Sequence, residues 1–266
     1  MTPDVALPAT QIPQTPPRVA ARAVDAEQQA ALDLLSTLAA EDWERPTDCA
    51  GWTVRDLVAH MLCQYEELAS TRLMFGRLIR GMRRYPALSR LDAHNRVQIE
   101  DTAGLTHAQL LDRLALAGPR AVQALERTPA VLRRIPGLRL YGVEQLPDQR
   151  LAYLWDVLVV RDPWMHRLDL CRAIARPVEP TDHDAVVVGQ VVRDLARTWH
   201  GPTVTLELTG PPRGQWIIGS GESAATLRAD ALDYCRVLSG RQSEGPLQTS
   251  GDAATATALA AVRVQF

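Results

Sequence analysis

The stretch Arg161-Asp162-Pro163-Trp164-Met165-His166-Arg167-Leu168-Asp169 constrains this chain more than any other. Read as part of one helix over residues 151–175, a turn of about 100° per residue brings Asp162, His166 and Asp169 within about 60° of one another. The same arithmetic puts Leu151, Trp155, Leu158, Val159 and Ala173 on that face, so three polar side chains stand in an apolar stripe. A buried carboxylate or imidazole is costly without a partner, so such groups pair with each other, hydrogen-bond, or hold a metal ion. Pro163 leaves two readings of the helix open. It is kinked there, or it restarts with Asp162 as N-cap and Pro163 at the first helical position, and then Asp162 faces backbone amides.

At 266 residues the chain fits two domains of unequal size, and 46% hydrophobic residues supply a sizeable core. The formal net charge of −2 argues against nucleic acid or an anionic membrane as partner, because phosphate-binding surfaces need clustered cations. Cys49, Cys63, Cys171 and Cys235 form neither a CxxC pair nor a regular framework, which fits a reducing cytoplasm. No apolar run approaches the ~18 residues of a membrane span, and the N-terminus has no basic segment followed by an apolar one. A soluble, cytoplasmic protein, monomer or homodimer, is expected.

Pro3, Pro8, Pro13, Pro16 and Pro17 predict a disordered tail over residues 1–20. A helical bundle is predicted over 21–180 and a small α+β domain over 181–266. Helix one is expected from Asp25 through Ala40, on helix formers at helical spacing. A loop with Trp43, Pro46, Gly51 and Trp52 follows, then a capping box of Thr53 and Asp56 opens helix two, expected from Val54 to Arg80. His60 lies on it, to the side of the apolar stripe. Residues 81–105 read as an irregular crossover. A third helix is capped by Thr106 with Gln109, and Gly118-Pro119 is expected to kink or divide it. Beyond Pro180 come a helix capped by Thr181 or Asp182 and an alternating strand at Val204, Leu206 and Leu208. Two further strands follow, around Trp216 and Leu227, then a helix capped by Asp230, a strand near Leu247 and a helix capped by Asp252.

Trp43, Pro46-Thr47, Cys49, Gly51-Trp52, Val54, Asp56-Leu57 and His60, followed by Arg161-Asp162 and Trp164-Met165-His166-Arg167-Leu168-Asp169, resemble the mycothiol-dependent maleylpyruvate isomerase family. The resemblance covers residues 25–175, and Cys235 to Arg241 with Gly251-Asp252 are similar to the family's smaller C-terminal domain. It implies a mainly α fold, a DinB-like four-helix bundle followed by a small α+β domain. It further implies a divalent metal, zinc, held by His60, Asp162 and His166, and mycothiol as thiol cosubstrate for S-transfer to, or isomerisation of, a small electrophile. The family has Glu where this chain has the shorter Asp162. Two imidazoles and a carboxylate are in themselves a catalytic-type zinc set with a position left open.

Arg236 and Arg241 are candidate catalytic residues, gripping a carboxylate of substrate or thiol, as the resemblance implies for an arginine of this domain. Asp169 is expected to orient His166 or to pair with an arginine. Cys63, Cys171 and Cys235 read as small packing residues, and His94, His107, His183 and His200 have no usable spacing. The alternative to an enzyme is a bundle that binds or sequesters a small molecule without turnover.

Overall fold

The computed structural model describes residues 6–141 and 146–266. Contacts between residues divide it into two units, one of Pro16–Glu179 and one joining the residues up to Thr15 to Pro180–Phe266.

In the first unit, α1 (Pro17–Leu35) opens on Pro17 at its first position, where a missing N–H costs nothing. The expected start near Asp25 is therefore corrected, as is the expected end at Ala40. α2 (Val54–Ala69) begins as the sequence predicts: Asp56 donates its backbone N–H to Thr53 Oγ1 at 3.3 Å, and Asp56 Oδ2 accepts from Thr53 N at 3.1 Å. The long helix expected to reach Arg80 instead breaks at Ser70, whose extended backbone (φ −148°, ψ 98°) lets its hydroxyl cap α3 (Thr71–Arg84). The crossover expected over 81–105 is likewise corrected. It holds α4 (Arg90–Thr102), capped by Ser89 through Asp92 N, and α4 lies close enough to α3 that a Cβ on Gly81 would meet the Ala93 carbonyl oxygen at 2.6 Å.

α5 (His107–Arg127) carries the Thr106–Gln109 capping box and runs unbroken through Gly118-Pro119. Gln28 of α1 explains the glycine. Its amide lies where a Cβ of Gly118 would be, and its Nε2 donates to the Leu114 carbonyl at 2.6 Å. Short helices α6 (Ala130–Arg133) and α7 (Leu151–Tyr153) lead through a π turn, Leu154–Leu158, into α8 (Val159–Ala173).

That π turn overturns part of the face derived for residues 151–175. An extra residue per turn rotates everything upstream by about 100°. The buried positions are accordingly Tyr153, Asp156, Val157 and Val160, while Leu151, Trp155, Leu158 and Val159 are half-buried. The N-cap reading of Asp162 is corrected too: α8 continues through Pro163 and Asp162 lies inside it. From Pro163 to Cys171 every residue is buried, so α8 has protein on all sides. α1 packs on α5 and α8, and α2 on the same two, which closes a four-helix ring in the order α1, α5, α2, α8.

In the second unit the proline-rich segment is not a free tail over its described part. Leu7–Pro8 forms β1, parallel to β3 (Gly214–Ile218) at the edge of a five-stranded sheet, where a proline without an N–H is tolerated. Residues 1–5 lie outside the described residues. β2 (Val204–Thr209) pairs antiparallel with β3 and parallel with β4 (Ala225–Asp230), and β4 pairs with β5 (Gln248–Gly251). Val204, Leu206 and Leu208 are buried, as their alternation predicts. α9 (Asp184–Thr198), α10 (Ala231–Leu238) and α11 (Ala253–Ala260) complete the unit, with Asp230 and Asp252 capping the last two. Among the described residues no helix is long and apolar enough to cross a membrane.

The ion pair that ties α8 to α1 is almost fully buried: Arg167 Nε lies 2.8 Å from Glu27 Oε1 and 3.1 Å from Oε2. Taking the guanidinium away leaves Glu27 charged inside the bundle. Arg167→Met should cost about 3–5 kcal/mol of unfolding free energy in urea titrations, and the Glu27→Leu, Arg167→Met double variant should recover much of the loss.

Candidate metal centre

His60 sits in the second turn of α2, and Asp162 and His166 one turn apart on α8. The packing of these two helices brings the three together. His60 Nε2 is 3.5 Å from Asp162 Oδ2, and His166 Nε2 is 3.3 Å from the same oxygen. One atom from each of the three residues lies within 4.8 Å of the other two. The imidazoles meet edge to face, with centroids 5.1 Å apart. Both are buried, and the Asp162 side chain keeps 22% of its surface exposed, so the cluster opens to one side.

What lies behind each ring fixes which nitrogen faces inward. Gln98 of α4 donates its amide N–H to Glu67 Oε1 at 2.9 Å, so its oxygen is the atom left to face His60. It lies 2.7 Å from His60 Nδ1 and accepts that nitrogen's N–H, leaving a lone pair on Nε2. Glu67 is held in turn by Arg77 Nη1 at 3.2 Å and by His94 at 3.1 Å. Behind His166 the acceptor is Asp169, fully buried, with Oδ2 3.2 Å from Nδ1. This is the orienting role expected of Asp169, and it turns His166 Nε2 toward Asp162.

Residues that sequence reasoning missed complete the surroundings. Cys49 Sγ lies 3.9 Å from His166 Nδ1 and 3.7 Å from Asp169 Oδ2, so Cys49, His166 and Asp169 form a second group of potential ligands that shares one imidazole. No spacing in the sequence marks it. Its loop is a tight turn, closed by Trp52 N donating to the Cys49 carbonyl at 2.9 Å and allowed by Gly51 at φ 79°. The same turn sets the Trp52 indole 5.1 Å from the His60 ring and 6.4 Å from the His166 ring, centroid to centroid. Gln98 falls in the stretch that reads from sequence as an irregular crossover, and Glu67, seven residues after His60, carries no motif of its own. Gln64, one turn beyond His60, reaches in with its amide nitrogen 2.9 Å from His60 Nε2 and in hydrogen-bond contact with Asp162 Oδ2.

Two further candidates, Arg236 and Arg241, belong to the second unit. Arg236, in the last turn of α10, is buried with Nη2 4.0 Å from Glu244. Arg241, past the turn at Gly240, is half-buried and donates to Ser239 Oγ at 2.9 Å. Cys63 is a packing residue, donating to the Gln98 carbonyl with its thiol pushed up to about 12 chiefly by burial. His107 stacks on Trp43 with centroids 4.2 Å apart.

The donor set fits a divalent cation. Around tetrahedral zinc, with bonds of about 2.0–2.1 Å, neighbouring ligand atoms stand about 3.3 Å apart, close to the two imidazole–carboxylate distances here. Protein charge alone already favours a positive group at that point. Burial by itself raises Asp162, yet His166 above all holds its carboxyl well below the ordinary 3.8. Burial by itself lowers His166, yet Asp162, Asp169 and Cys49 raise it well above the ordinary 6.5. In protein stripped of metal, a proton on His166 therefore stands in for the cation.

That pairing sets a pH window for the stripped protein. The raised His166 contributes stability that is complete below 6.5 and lost as pH rises through its folded value. The lowered Asp162 contributes stability that is complete above 3.8 and lost as pH falls through its folded value. Urea unfolding in chelator should show the largest deficit of His166→Gln relative to wild type between those pH values, shrinking in alkaline buffer.

None of the curated proteins matches the sequence significantly. Two solved structures share the fold. One is the crystal structure of the mycothiol-dependent maleylpyruvate isomerase, with TM-score 0.60 and 17% identity over 90% of this chain and 95% of that one. The other is a histidine-to-alanine mutant of that isomerase, with TM-score 0.59 and 16% identity over the same shares. The family model described as the mycothiol maleylpyruvate isomerase N-terminal domain matches residues 24–171, more than half of the chain and the part that holds His60, Asp162 and His166. The chain thus belongs to the mycothiol maleylpyruvate isomerase N-terminal domain family.

Proposed function

We propose that this protein is a metal-dependent enzyme that uses a low-molecular-weight thiol, mycothiol, for S-transfer to, or isomerisation of, an electrophilic small molecule. One observation carries the metal: two imidazole nitrogens and a carboxylate oxygen from two helices converge within 4.8 Å, with the Asp162 side chain partly exposed. Family membership, and the mycothiol dependence of the isomerase that shares the fold, support the thiol. A divalent ion held there, zinc on this donor set, supplies the positive charge that keeps a thiol ionised at neutral pH.

The chain's own residues do the rest. Gln98 and Asp169 hold the two imidazoles by their Nδ1–H groups so that both Nε2 atoms face Asp162. Trp52 sets apolar ring surface against both imidazoles. Arg236 and Arg241, joined through the backbone bond from Arg241 N to the Arg236 carbonyl at 2.9 Å, are the proposed grip for a carboxylate on substrate or thiol. Non-catalytic ligand sequestration rests on Pro163 drawing Asp162 away from the imidazoles. Asp162 lies beside both, which favours the enzyme.

The test is metal analysis of protein purified without chelator, joined to a thiol-consumption assay with electrophiles such as maleylpyruvate. Stoichiometric zinc is expected in the wild type and lost in the His60→Ala, His166→Ala double variant, and thiol-dependent turnover should collapse in folded His166→Ala. Zinc-free wild type, or turnover unchanged in His166→Ala, refutes the reading.

The role given to Gln98 has its own test. Gln98→Leu removes the acceptor for His60 Nδ1–H and should weaken zinc binding about 10–100-fold in chelator competition, the range for losing a group that orients a ligand. Gln98→Glu keeps an acceptor and should stay closer to wild type.

A further inference from the structure

Among the described residues, Gln64 stands out at the cluster because its hydrogen bonding does not close. Its amide nitrogen donates to His60 Nε2 at 2.9 Å and to Asp162 Oδ2, two of the three atoms expected to hold the cation. Its carbonyl oxygen is buried and has no partner among the described residues. Folded proteins rarely leave a buried carbonyl oxygen so placed, and each instance calls for an explanation.

The arrangement follows from the surroundings of His60. Because Gln98 Oε1 accepts from the Nδ1–H, Nε2 offers a lone pair, and it faces a carboxylate oxygen of Asp162. Two acceptors facing each other at 3.5 Å repel unless something positive lies between them. The amide hydrogens of Gln64 serve that purpose. A cation bound by the same two atoms would take the place of those hydrogens, so the amide has to turn. Rotation about the last side-chain torsion, which is broad and roughly two-fold for an amide, exchanges nitrogen for oxygen. The oxygen then faces a cation, and amide oxygens are established ligands of divalent ions.

Gln64 lies one helical turn after His60 on α2, so its backbone keeps the amide at the cluster in either orientation.

We propose that Gln64 is a fourth protein ligand of the metal centre, bonding through Oε1 when the ion is bound and substituting its NH2 group for the ion when it is not. The proposal rests on the metal reading of His60, Asp162 and His166. A neutral amide adds no charge and is the weakest donor of the four, so an entering thiolate would displace it or make the site five-coordinate, and its loss should be felt in affinity and coordination geometry.

The experiment measures zinc affinity by chelator competition, and the visible absorption of the Co2+-loaded protein, for wild type, Gln64→Leu and Gln64→Glu. Far-ultraviolet circular dichroism checks that each is folded. Gln64→Leu should bind zinc at least about tenfold more weakly, and its Co2+ spectrum should change in intensity and band position. Gln64→Glu, which offers a charged oxygen at the same reach, should bind more tightly than wild type and hold the proposal open to test should the leucine variant unfold. If wild type binds zinc while both variants bind it equally well or better with the wild-type Co2+ spectrum, Gln64 is no ligand and the metal reading stands. If wild type binds no divalent ion, both readings fall.

Discussion

The contact on which the rest of the site depends is a single carboxylate oxygen, Asp162 Oδ2, approached by imidazole nitrogens from two helices at 3.3 and 3.5 Å. Three ionisable groups this close inside a bundle are costly unless each finds a complement, and the surroundings supply them. Gln98 accepts from one ring, Asp169 from the other, and Gln64 donates into the gap. The outcome is a pair of inward-facing nitrogens beside a carboxylate, an arrangement whose donors fit a cation.

This explains the polar character of a bundle core that would otherwise be leucine and alanine. α8 is buried on all sides from Pro163 to Cys171, so Arg167 and Asp169 cannot reach water. Arg167 answers Glu27 of α1, and Arg161 Nη1 lies 3.4 Å from the Tyr153 hydroxyl. The α3–α4 pair, which adds to the four-helix ring, has the same role on the other flank. It brings in Arg77, which meets Glu66, Glu67 and Asp101, and Gln98, which passes the order of that network on to His60. A removed charge anywhere along this chain leaves its partner buried, so stability and site geometry are coupled.

The thiols divide along the same line. Cys63 and Cys171 are raised by burial and behave as small apolar residues, which is how isolated cysteines in helices read. Cys49 differs because a glycine-dependent turn sets it against His166 and Asp169, so it belongs to the surroundings of the site and not to the core.

Much was legible from residue order alone. Caps are local, so the Thr53–Asp56 and Thr106–Gln109 boxes and the Asp230 and Asp252 caps marked four helix starts correctly, and alternation at Val204, Leu206 and Leu208 marked a strand. The one-turn spacing of Asp162 and His166 placed both on one side of α8. Breaks decided by non-local packing were not legible: the interruption at Ser70, the helix through Pro163, the π turn and the whole of α4 each depend on what lies alongside. The same distinction holds for the site. The sequence determined which side chains carry lone pairs and charge and which share a helical face. Only the tertiary structure decided that His60 meets that face across the α2–α8 packing, and that Gln64, Gln98, Glu67 and Cys49 gather round it. Helical periodicity reaches across a turn or two, while the distance between two helices is set by the side chains packed between them.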